Sequence, residues 1–343
     1  MTLSFHGTQN TRCRAMRKRE REEIMQIGTA TETFITHCRS TRNLAPNTLR
    51  AYSSDLRDFA RYLGETTTIT TWKREDVFAY VRHLFEARGL SPATVKRRTA
   101  CLRVFARWLA QEGQIPESPL TDVRLGIKIP RTLPRVLNHD EMNKLLQPPN
   151  LDAISPTLRK DFDTATIAVA IQLLYATGIR VGELVKIAID DVDFAENTIR
   201  INGKGAKQRR VPIPNQFVSE TLRRYLRLRR GGTPQNGTVF TTKAGTPLST
   251  QHIRKLLKAH AIRTDVIGRV TPHMIRHTTA THLLENGVNL RYVQHLLGHE
   301  SITTTQRYSH VNDSSLMRAI RRAHPLSQHG TLAHQTTGND VSA

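Results

Sequence analysis

The sequence of 343 residues lacks any apolar run near the roughly 20 residues that a membrane-spanning helix needs. It is also poor in cysteine, because Cys13, Cys38 and Cys101 are the only three and lie far apart. Their spacing fits neither a disulfide framework nor a metal site. The basic stretch 12-RCRAMRKRER-21 is followed by no apolar segment of the kind that a secretory signal contains. We therefore predict a cytoplasmic protein with no metal, no cofactor and no membrane partner.

Acidic residues are scarce relative to basic ones. Asp and Glu number 29 against 51 Lys and Arg, so the formal net charge is 51 − 29 = +22. Such an excess favours a polyanionic partner, because the summed positive field attracts and concentrates negative charge. Nucleic acid is the first candidate and an acidic membrane surface the second, and the absence of a long apolar run argues against the membrane. The length of the chain favours two domains.

The distribution of hydrophobic residues and prolines predicts where these domains lie. Residues 1–20 are basic and lack a hydrophobic period, so we predict a flexible arm. Amphipathic patterns over residues 21–115 predict an all-helical domain with basic outer surfaces. Prolines without a sustained period over residues 116–135 predict a linker. Residues 136–325 mix helical and strand patterns, and the polar residues 326–343 are predicted to be disordered.

Basic side chains line the last predicted helix of the first domain. The helix should begin at Ser91-Pro92, an N-cap followed by a proline in the first turn. Its outward faces carry five basic residues: Lys96, Arg97, Arg98, Arg103 and Arg107. Any one of them has an ordinary explanation as a solvated surface residue. In a chain this basic, we predict that the set contacts DNA phosphates.

The second domain is predicted to combine helices with one β-hairpin. Residues 164–175 are apolar on nearly all faces, which indicates a buried helix, and Thr177-Gly178 should end it. Hydrophobic and polar residues alternate on both sides of the turn 202-NGKG-205, which predicts a hairpin with lysines at its tip. Further helices should run from Thr271-Pro272 and from Asn289. The predicted fold class is mainly α with a small β-sheet.

Six polar side chains of this domain form a set that suits phosphoryl transfer: Arg180, Lys204, His273, Arg276, His299 and Tyr308. Each alone has an ordinary explanation, such as a surface arginine, a turn lysine or a helix-capping histidine. The histidine spacing fits no common zinc site, and no cysteine or carboxylate completes one. Taken together, guanidinium forks can bind phosphate oxygens, a lysine can protonate a leaving oxygen and a tyrosine can attack phosphorus.

Four segments that carry these residues closely resemble the tyrosine recombinase (phage integrase) family, and within it the XerC/XerD branch. They are 173-LLYATGIRVGELVKI-187, 200-RINGKGAKQRRVPIP-214, 271-TPHMIRHTTATHLLENG-287 and 288-VNLRYVQHLLGHESITTTQRYSHV-311. The resemblance covers roughly residues 30–320. The resemblance is highly specific in the C-terminal half. In the N-terminal half it is weaker and rests on the helical pattern and on short segments such as 45-APNTLRAYSSDL-56.

The resemblance implies that Arg180 and Arg276 clamp the phosphate at which DNA is cut. His299 would donate a hydrogen bond to the same phosphate. Tyr308 would attack phosphorus and form a 3′-phosphotyrosine link. The family pattern thus makes Tyr308 the nucleophile of the reaction, although its polar neighbours by themselves suggest only a surface tyrosine.

The resemblance also implies how protons move. Lys204 would be the general acid for the leaving 5′-oxygen, with Lys207 as an alternative in the same hairpin, and His273 would assist proton transfer at the tyrosine. Glu183 matches an acidic position that orients the arginines, although an ordinary helical ion pair explains it nearly as well. Arg209 and Arg210 follow in the hairpin, and we predict that both contact DNA.

An architecture and an assembly follow from the same resemblance. We expect a two-domain DNA clamp, with an all-helical, SAM-like core-binding domain and a mixed α/β catalytic domain. Its partner would be double-stranded DNA with inverted-repeat recombination sites in the nucleoid. Four protomers, alone or together with a second recombinase, would join two sites through a Holliday junction without metal or ATP. The segment 312-NDSSLMRAIRRAHPL-326 is hypothesised to form a helix that docks on a neighbouring protomer.

Two other functions compete with this interpretation. A type IB topoisomerase-like enzyme would use the same tyrosine chemistry as a monomer, and the basic helical first domain argues against it. A DNA-binding accessory factor without catalysis would have no use for all six polar residues. The sequence leaves open which DNA site is used and whether the reaction integrates, excises or resolves DNA.

Overall fold

The computed structural model describes residues 25–42, 44–130, 135–147, 159–203, 208–229, 237–298 and 313–329. These residues belong to two compact units, one within residues 1–132 and the other within residues 133–343. Lys204, Lys207, His299 and Tyr308 lie outside the described residues. Each unit has its own hydrophobic core.

The first unit is helical, as predicted, and its core is rich in aromatic rings. Its described helices are α1 (Ile27–Ser40), α2 (Pro46–Leu63), α3 (Arg74–Glu86) and α4 (Pro92–Gln111). Helix α4 begins where the sequence predicts, because Ser91 Oγ accepts a hydrogen bond from Thr94 N (3.4 Å). Phe34, Phe59 and Phe105 are fully buried, and the rings of Phe34 and Phe105 meet edge to face at 5.4 Å between centroids.

The stretch after α4 has no helix or strand between residues 116 and 130. Part of it nevertheless belongs to the first core, since Leu120 and Val123 are buried there. Arg103 Nη2 also donates a hydrogen bond to Val123 O (2.8 Å). The first unit therefore includes residues that the proline pattern assigns to a linker.

The second unit is built around one buried helix. Its described helices are α5 (His139–Leu146), α6 (Arg159–Thr177), α7 (Val181–Leu184), α8 (Gln216–Arg229), α9 (Thr250–Arg263), α10 (Pro272–Glu285), α11 (Leu290–Leu297), α12 (Asp313–Ala323) and α13 (Pro325–His329). Helices α8, α9 and α10 pack around α6, and α6 residues such as Ile171 and Leu174 are fully buried. The predicted buried helix is confirmed. In the described part of the chain, neither α6 nor any other helix has the length and hydrophobicity of a membrane span.

A small antiparallel sheet contains the predicted hairpin. Its strands are β1 (Val192–Asp193), β2 (Thr198–Asn202) and β3 (Gln208–Pro212), in the order β1-β2-β3, and a single 3-10 turn (Ile189–Asp191) precedes β1. Ile199 pairs with Val211 and both are fully buried, which explains the alternation in the sequence. The last pair before the tip is Asn202 with Gln208.

Local capping sets the bounds of the two helices next to the site. Thr271 Oγ1 accepts a hydrogen bond from Met274 N (3.2 Å) at the start of α10. Asn289 Oδ1 accepts one from Arg291 N (2.9 Å) at the start of α11. Gly298 ends α11 in the left-handed conformation, with φ of 61°. Both helices therefore occur where the sequence predicts them.

Helix α12 packs against other residues of the second unit. Ile320 is fully buried, Asn286 Nδ2 donates to Ala323 O (2.9 Å), and Arg321 Nη2 donates to Glu196 O (2.6 Å). The helix predicted after residue 312 is thus present, and its docking on a neighbouring protomer stays a prediction.

The order of the chain extends further than the polar composition predicts. Disorder was predicted from residue 326, which is wrong for residues 326–329, because Pro325 starts helix α13. Leu326 is buried in the second core, and Ser327 Oγ donates to Pro214 O (3.4 Å). One apolar side chain with a place in the core outweighs the polar composition around it.

A buried histidine beside α13 makes the stability of the second unit depend on pH. His324 Nε2 donates to Tyr175 O (3.1 Å), and its Nδ1 accepts from Leu326 N (3.1 Å). Burial lowers the pKa of the His324 imidazole from 6.5 to about 4. Because the unfolded chain binds the proton more readily, the stability from neutral His324 is complete above pH 6.5 and is lost as pH falls towards 4.

We expect acidification from about pH 7.5 to about pH 5 to cost about 2 kcal/mol of unfolding free energy through this histidine. Chemical unfolding of the full chain at several pH values measures it. His324→Asn keeps an acceptor for Leu326 N but does not titrate in this range, so its stability should depend less on pH. An equal pH dependence in both proteins would show that His324 is not the titrating group.

Candidate active site

A sharp turn between α6 and α7 places Arg180 at the edge of the site. Gly178 adopts a φ of 61°, which favours glycine, and a Cβ atom there would lie 2.8 Å from Leu297 Cδ2. The turn therefore lies directly against α11. Arg180 follows at the N-cap of α7, and its half-exposed side chain donates from Nη2 to Gly298 O (3.1 Å).

Arg276 lies inside the same site. It is 8% exposed, and it donates from Nη1 to Gly178 O (2.6 Å) and from Nη2 to Leu297 O (2.6 Å). Burial, and then the charge of Arg180, lowers the pKa of Arg276 to about 10, so the guanidinium stays charged at neutral pH. The two predicted phosphate-binding arginines thus converge on the C-terminal end of α11.

Glu183 is the anion of this cluster. Its Oε2 accepts from Arg180 N (2.8 Å) and Arg209 Nη2 (2.8 Å), and its Oε1 accepts from Arg180 Nη1 (3.1 Å) and Arg209 Nη1 (3.1 Å). Burial opposes ionisation, but the hydrogen bonds and charges of Arg209 and Arg180 outweigh it and lower the pKa of the carboxyl. Glu183 therefore forms the predicted ion pair with Arg180 at its own helix and also binds a second arginine. Its contacts fit both a helical ion pair and a role in orienting the arginines.

Arg209 lies largely inside the site, and its predicted contact with DNA stays a prediction. Its side chain is 16% exposed and forms a two-point ion pair with Glu183. The strand pattern contained a signal for this, because Arg209 is two residues from buried Val211 and so shares its inward face. Arg210, between them, is exposed, as a DNA contact requires.

The other predicted catalytic residues are described only in part. His273 is exposed at the first turn of α10, one turn before Arg276. His299 is the residue after Gly298, and Lys204 and Lys207 belong to the tip between β2 and β3. These three residues and Tyr308 lie outside the described residues, so their roles stay predictions.

Three of the five basic residues predicted to bind DNA along α4 make contacts within the first unit. Arg97 pairs with buried Asp55, Arg98 pairs with Asp58, and Arg103 holds the backbone of the irregular stretch after α4. A carboxylate that leaves water needs a cation beside it, and α4 provides one for each aspartate. These contacts do not test the predicted phosphate binding, which stays a prediction for Arg97, Arg98 and Arg103. Lys96 and Arg107 are exposed and remain available.

Another basic surface lies on α1 and α2. Four exposed arginines line a groove of about 1040 Å³, which we name the arginine groove: Arg39, Arg50, Arg57 and Arg61. The three on α2 recur at positions i, i+7 and i+11, which places them along one side of the helix. The helical spacing of the three α2 arginines is a signal in the sequence for this surface, which the predictions above do not include.

One other cluster has residue types that bind metals. His139, His282 and Glu285 have side-chain nitrogens and oxygens within 4.8 Å of one another. The two imidazoles are stacked, with centroids 4.0 Å apart and planes at 16°, so their in-plane lone pairs do not converge on one ion. His282 Nδ1 is also hydrogen-bonded to Tyr175 Oη (2.8 Å). In this arrangement the cluster is a packing contact.

Sequence comparison identifies relatives across both units. Residues 135–315 match the phage integrase family, and residues 31–113 match the phage integrase N-terminal SAM-like domain. A tyrosine recombinase XerD from Listeria innocua is 36% identical over 292 residues, which cover 83% of this chain and 94% of the relative. A tyrosine recombinase XerC from Roseiflexus sp. is 36% identical over 298 residues, which cover 84% and 91% of the two chains.

Structural comparison gives the same fold. A lambda integrase dimer bound to a COC′ core site aligns with a TM-score of 0.63 and 19% identity, over 87% of this chain and 79% of that chain. At this identity the likeness concerns the fold alone. The mostly helical architecture with a small sheet, predicted from the sequence, is confirmed.

Proposed function

Because this chain belongs to the phage integrase family and is a site-specific DNA recombinase like its XerC and XerD relatives, we propose that it cuts and rejoins DNA through a phosphotyrosine link at Tyr308. The observation that carries the proposal is the convergence of Arg180 and Arg276 on the end of α11. The chain leaves this point towards His299 and Tyr308. Tyr308 follows Gly298 by ten residues in the sequence, and this proximity along the chain supports a phosphate site at the two arginines.

The arginines have the chemistry to stabilise the transition state. Negative charge develops on the non-bridging phosphate oxygens as the tyrosine attacks, and guanidinium groups stabilise it through charged hydrogen bonds. In the structure Arg180 and Arg276 donate to the carbonyl oxygens of Gly298 and Leu297. A guanidinium has five N–H donors, so each arginine keeps donors for a phosphate as well.

Each bond that forms in the proposed reaction replaces one that breaks. The Tyr308 oxygen bonds to phosphorus, the bond from phosphorus to the 5′-oxygen breaks, and Lys204 gives that oxygen a proton. The proton of the tyrosine passes to a base, for which His273 is our candidate. A 5′-hydroxyl of the other DNA duplex then attacks the phosphotyrosine and gives its proton to Lys204. Tyr308 leaves and regains its proton from His273. Because the phosphodiester energy is kept in the tyrosyl link, rejoining needs no ATP.

We propose that four protomers carry out two such exchanges on two inverted-repeat sites, through a Holliday junction. Each of the two structural units contributes basic surface for the DNA. A second recombinase could replace two of the four protomers without a change in the chemistry. The reaction would take place in the cytoplasm, where the chromosome of a bacterium lies.

The experiment that tests the proposal traps the intermediate. Inverted-repeat DNA is first selected from random duplexes by tight binding, and a nick is then placed near the cleavage point so that the cut fragment diffuses away. We expect a covalent protein–DNA adduct that survives SDS, forms in EDTA without ATP, and yields a DNA-linked peptide containing Tyr308. Binding without an adduct would indicate an accessory factor, and relaxation of any supercoiled plasmid would indicate a topoisomerase-like enzyme.

We propose that the first unit contacts DNA through the arginine groove. Arg57 and Arg61 are exposed on adjacent turns of α2. Replacing both with alanine should weaken DNA binding by at least about tenfold. It should also reduce the slope of log K against log salt by about 2, since each phosphate contact contributes about 0.9 to that slope. Fluorescence anisotropy over a salt series measures both quantities.

A matched control comes from the same unit. Arg82 is exposed on α3 and does not line the arginine groove. Arg82→Ala should keep both the affinity and the salt slope of the unchanged protein. Equal losses in this control and in the double variant would mean that net charge, and not the groove, attracts DNA.

A further inference from the structure

Arg209 joins the hairpin to the helix that carries Arg180. Its two terminal nitrogens donate to the two oxygens of Glu183 at 3.1 and 2.8 Å. The pair is shielded, since Arg209 is 16% exposed and Glu183 is 10% exposed. A planar guanidinium bound at two points has a fixed orientation, which a single contact from a flexible lysine does not provide. The ion pair therefore fixes β3 relative to α7.

The same guanidinium lies against the end of α11. A Cβ atom on Gly298 would lie 3.2 Å from Arg209 Cζ and 3.3 Å from its Nε and Nη1. Any other residue at position 298 would press on Arg209 and would also have to adopt a φ of 61°. Arg209 thus contacts both the carboxylate that holds Arg180 and the last residue before His299.

The position of Arg209 in the hairpin connects these contacts to Lys204. Asn202 and Gln208 form the last pair of the ladder, and Arg209 pairs with Ile201 next to them. The tip that contains Lys204 therefore begins and ends within a few residues of the strand that Arg209 holds. Asn202 and Gln208 are both exposed, so the hairpin is held next to its tip by buried Ile201 and by the Arg209–Glu183 ion pair.

We propose that Arg209 is a positioning residue for the reaction: its two-point contact with Glu183 orients the hairpin so that Lys204 can protonate the leaving 5′-oxygen. The inference rests on the proposed function and, within it, on Lys204 as the general acid. Arg209 would act through the hairpin and need not touch DNA. Its loss should therefore affect the proton transfer more than the binding of the phosphate.

A substrate that needs no proton on its leaving group separates these effects. In one DNA the bridging 5′-oxygen at the cleaved phosphate is replaced with sulfur. Because a thiol has a pKa of about 8.5, the sulfur can leave as a thiolate without a general acid. We expect Arg209→Ala to slow single-turnover cleavage of the ordinary DNA roughly 100-fold, as loss of a general acid does. Most of this loss should disappear with the sulfur-containing DNA, while DNA affinity stays within about twofold.

Three further variants keep the inference falsifiable. Arg209→Lys keeps the charge but not the two-point geometry, so it should behave like Arg209→Ala and also controls for folding. Lys204→Ala should be rescued by sulfur, whereas Arg180→Ala should not be. An equal loss on both substrates for the Arg209 variants, or weaker DNA binding with normal cleavage at saturation, would overturn the inference. Failure of sulfur to rescue Lys204→Ala would instead locate the error in the proposed general acid.

Discussion

Changing Tyr308 to phenylalanine should remove the covalent protein–DNA adduct completely and leave DNA affinity unchanged. Phenylalanine keeps the ring but has no oxygen to bond to phosphorus, so the first chemical step cannot occur. Gly298 is bound by Arg180, and Tyr308 follows ten residues later. An extended chain spans up to about 3.5 Å per residue, so the hydroxyl is within reach of the arginine pair.

The measurement is the SDS-resistant adduct formed with nicked inverted-repeat DNA, together with the affinity of each protein for intact DNA. Tyr292→Phe is the matched control, because Tyr292 lies on nearby α11 and is partly buried against the second core. It should form the adduct at the normal rate. An undiminished adduct with Tyr308→Phe would assign the nucleophile to another residue.

Changing Arg276 to lysine should reduce the cleavage rate by about 100- to 1000-fold, the usual effect of removing one donor from a charge-stabilising site. Gly178 O and Leu297 O are bound by two different nitrogens of Arg276. The three donors of a lysine share one nitrogen, so they cannot reproduce this fork and its orientation towards a phosphate. The change should also lower the unfolding free energy by about 1–3 kcal/mol, because a buried carbonyl oxygen loses its donor.

Single-turnover cleavage at saturating DNA separates the catalytic effect from the binding effect, and chemical unfolding of the same protein gives the loss of stability. Arg254→Lys is the control, since Arg254 is exposed on α9 of the same unit and should tolerate the change. A normal cleavage rate with Arg276→Lys would mean that this guanidinium is a structural link between α6 and α11 and not a phosphate ligand.

The helix starts and the β-hairpin can be predicted from the sequence, because both depend on residues that are close together in the chain. The caps at Ser91, Asn138 and Thr271 each involve a side chain and a backbone N–H three residues later, so short motifs predict them. The hairpin follows from the alternation around Ile199 and Val211. Family resemblance added a prediction of the reacting residues, because the order and sequence of four segments indicate a chemistry that no single residue does.

Which distant carboxylate each charged residue contacts depends on the tertiary structure. Arg97 meets Asp55 across 42 residues of chain, and Arg209 meets Glu183 across 26. Helical spacing gives the direction of a side chain from its own axis, but it contains no information about which distant carboxylate lies opposite. The sequence therefore does not show that Arg97, Arg98 and Arg103 of α4 also make contacts within the first unit.

The candidate active site also combines short-range signals with long-range contacts. Arg180 reaches Gly298 across 118 residues, and Arg276 reaches Gly178 across 98. The sequence determined that Gly178 and Gly298 end helices, because left-handed backbone at a helix end favours glycine. These two ends lie together because α10 packs against α6 and α11 packs against α10. Burial of the apolar faces of these helices brings distant segments of the chain into contact.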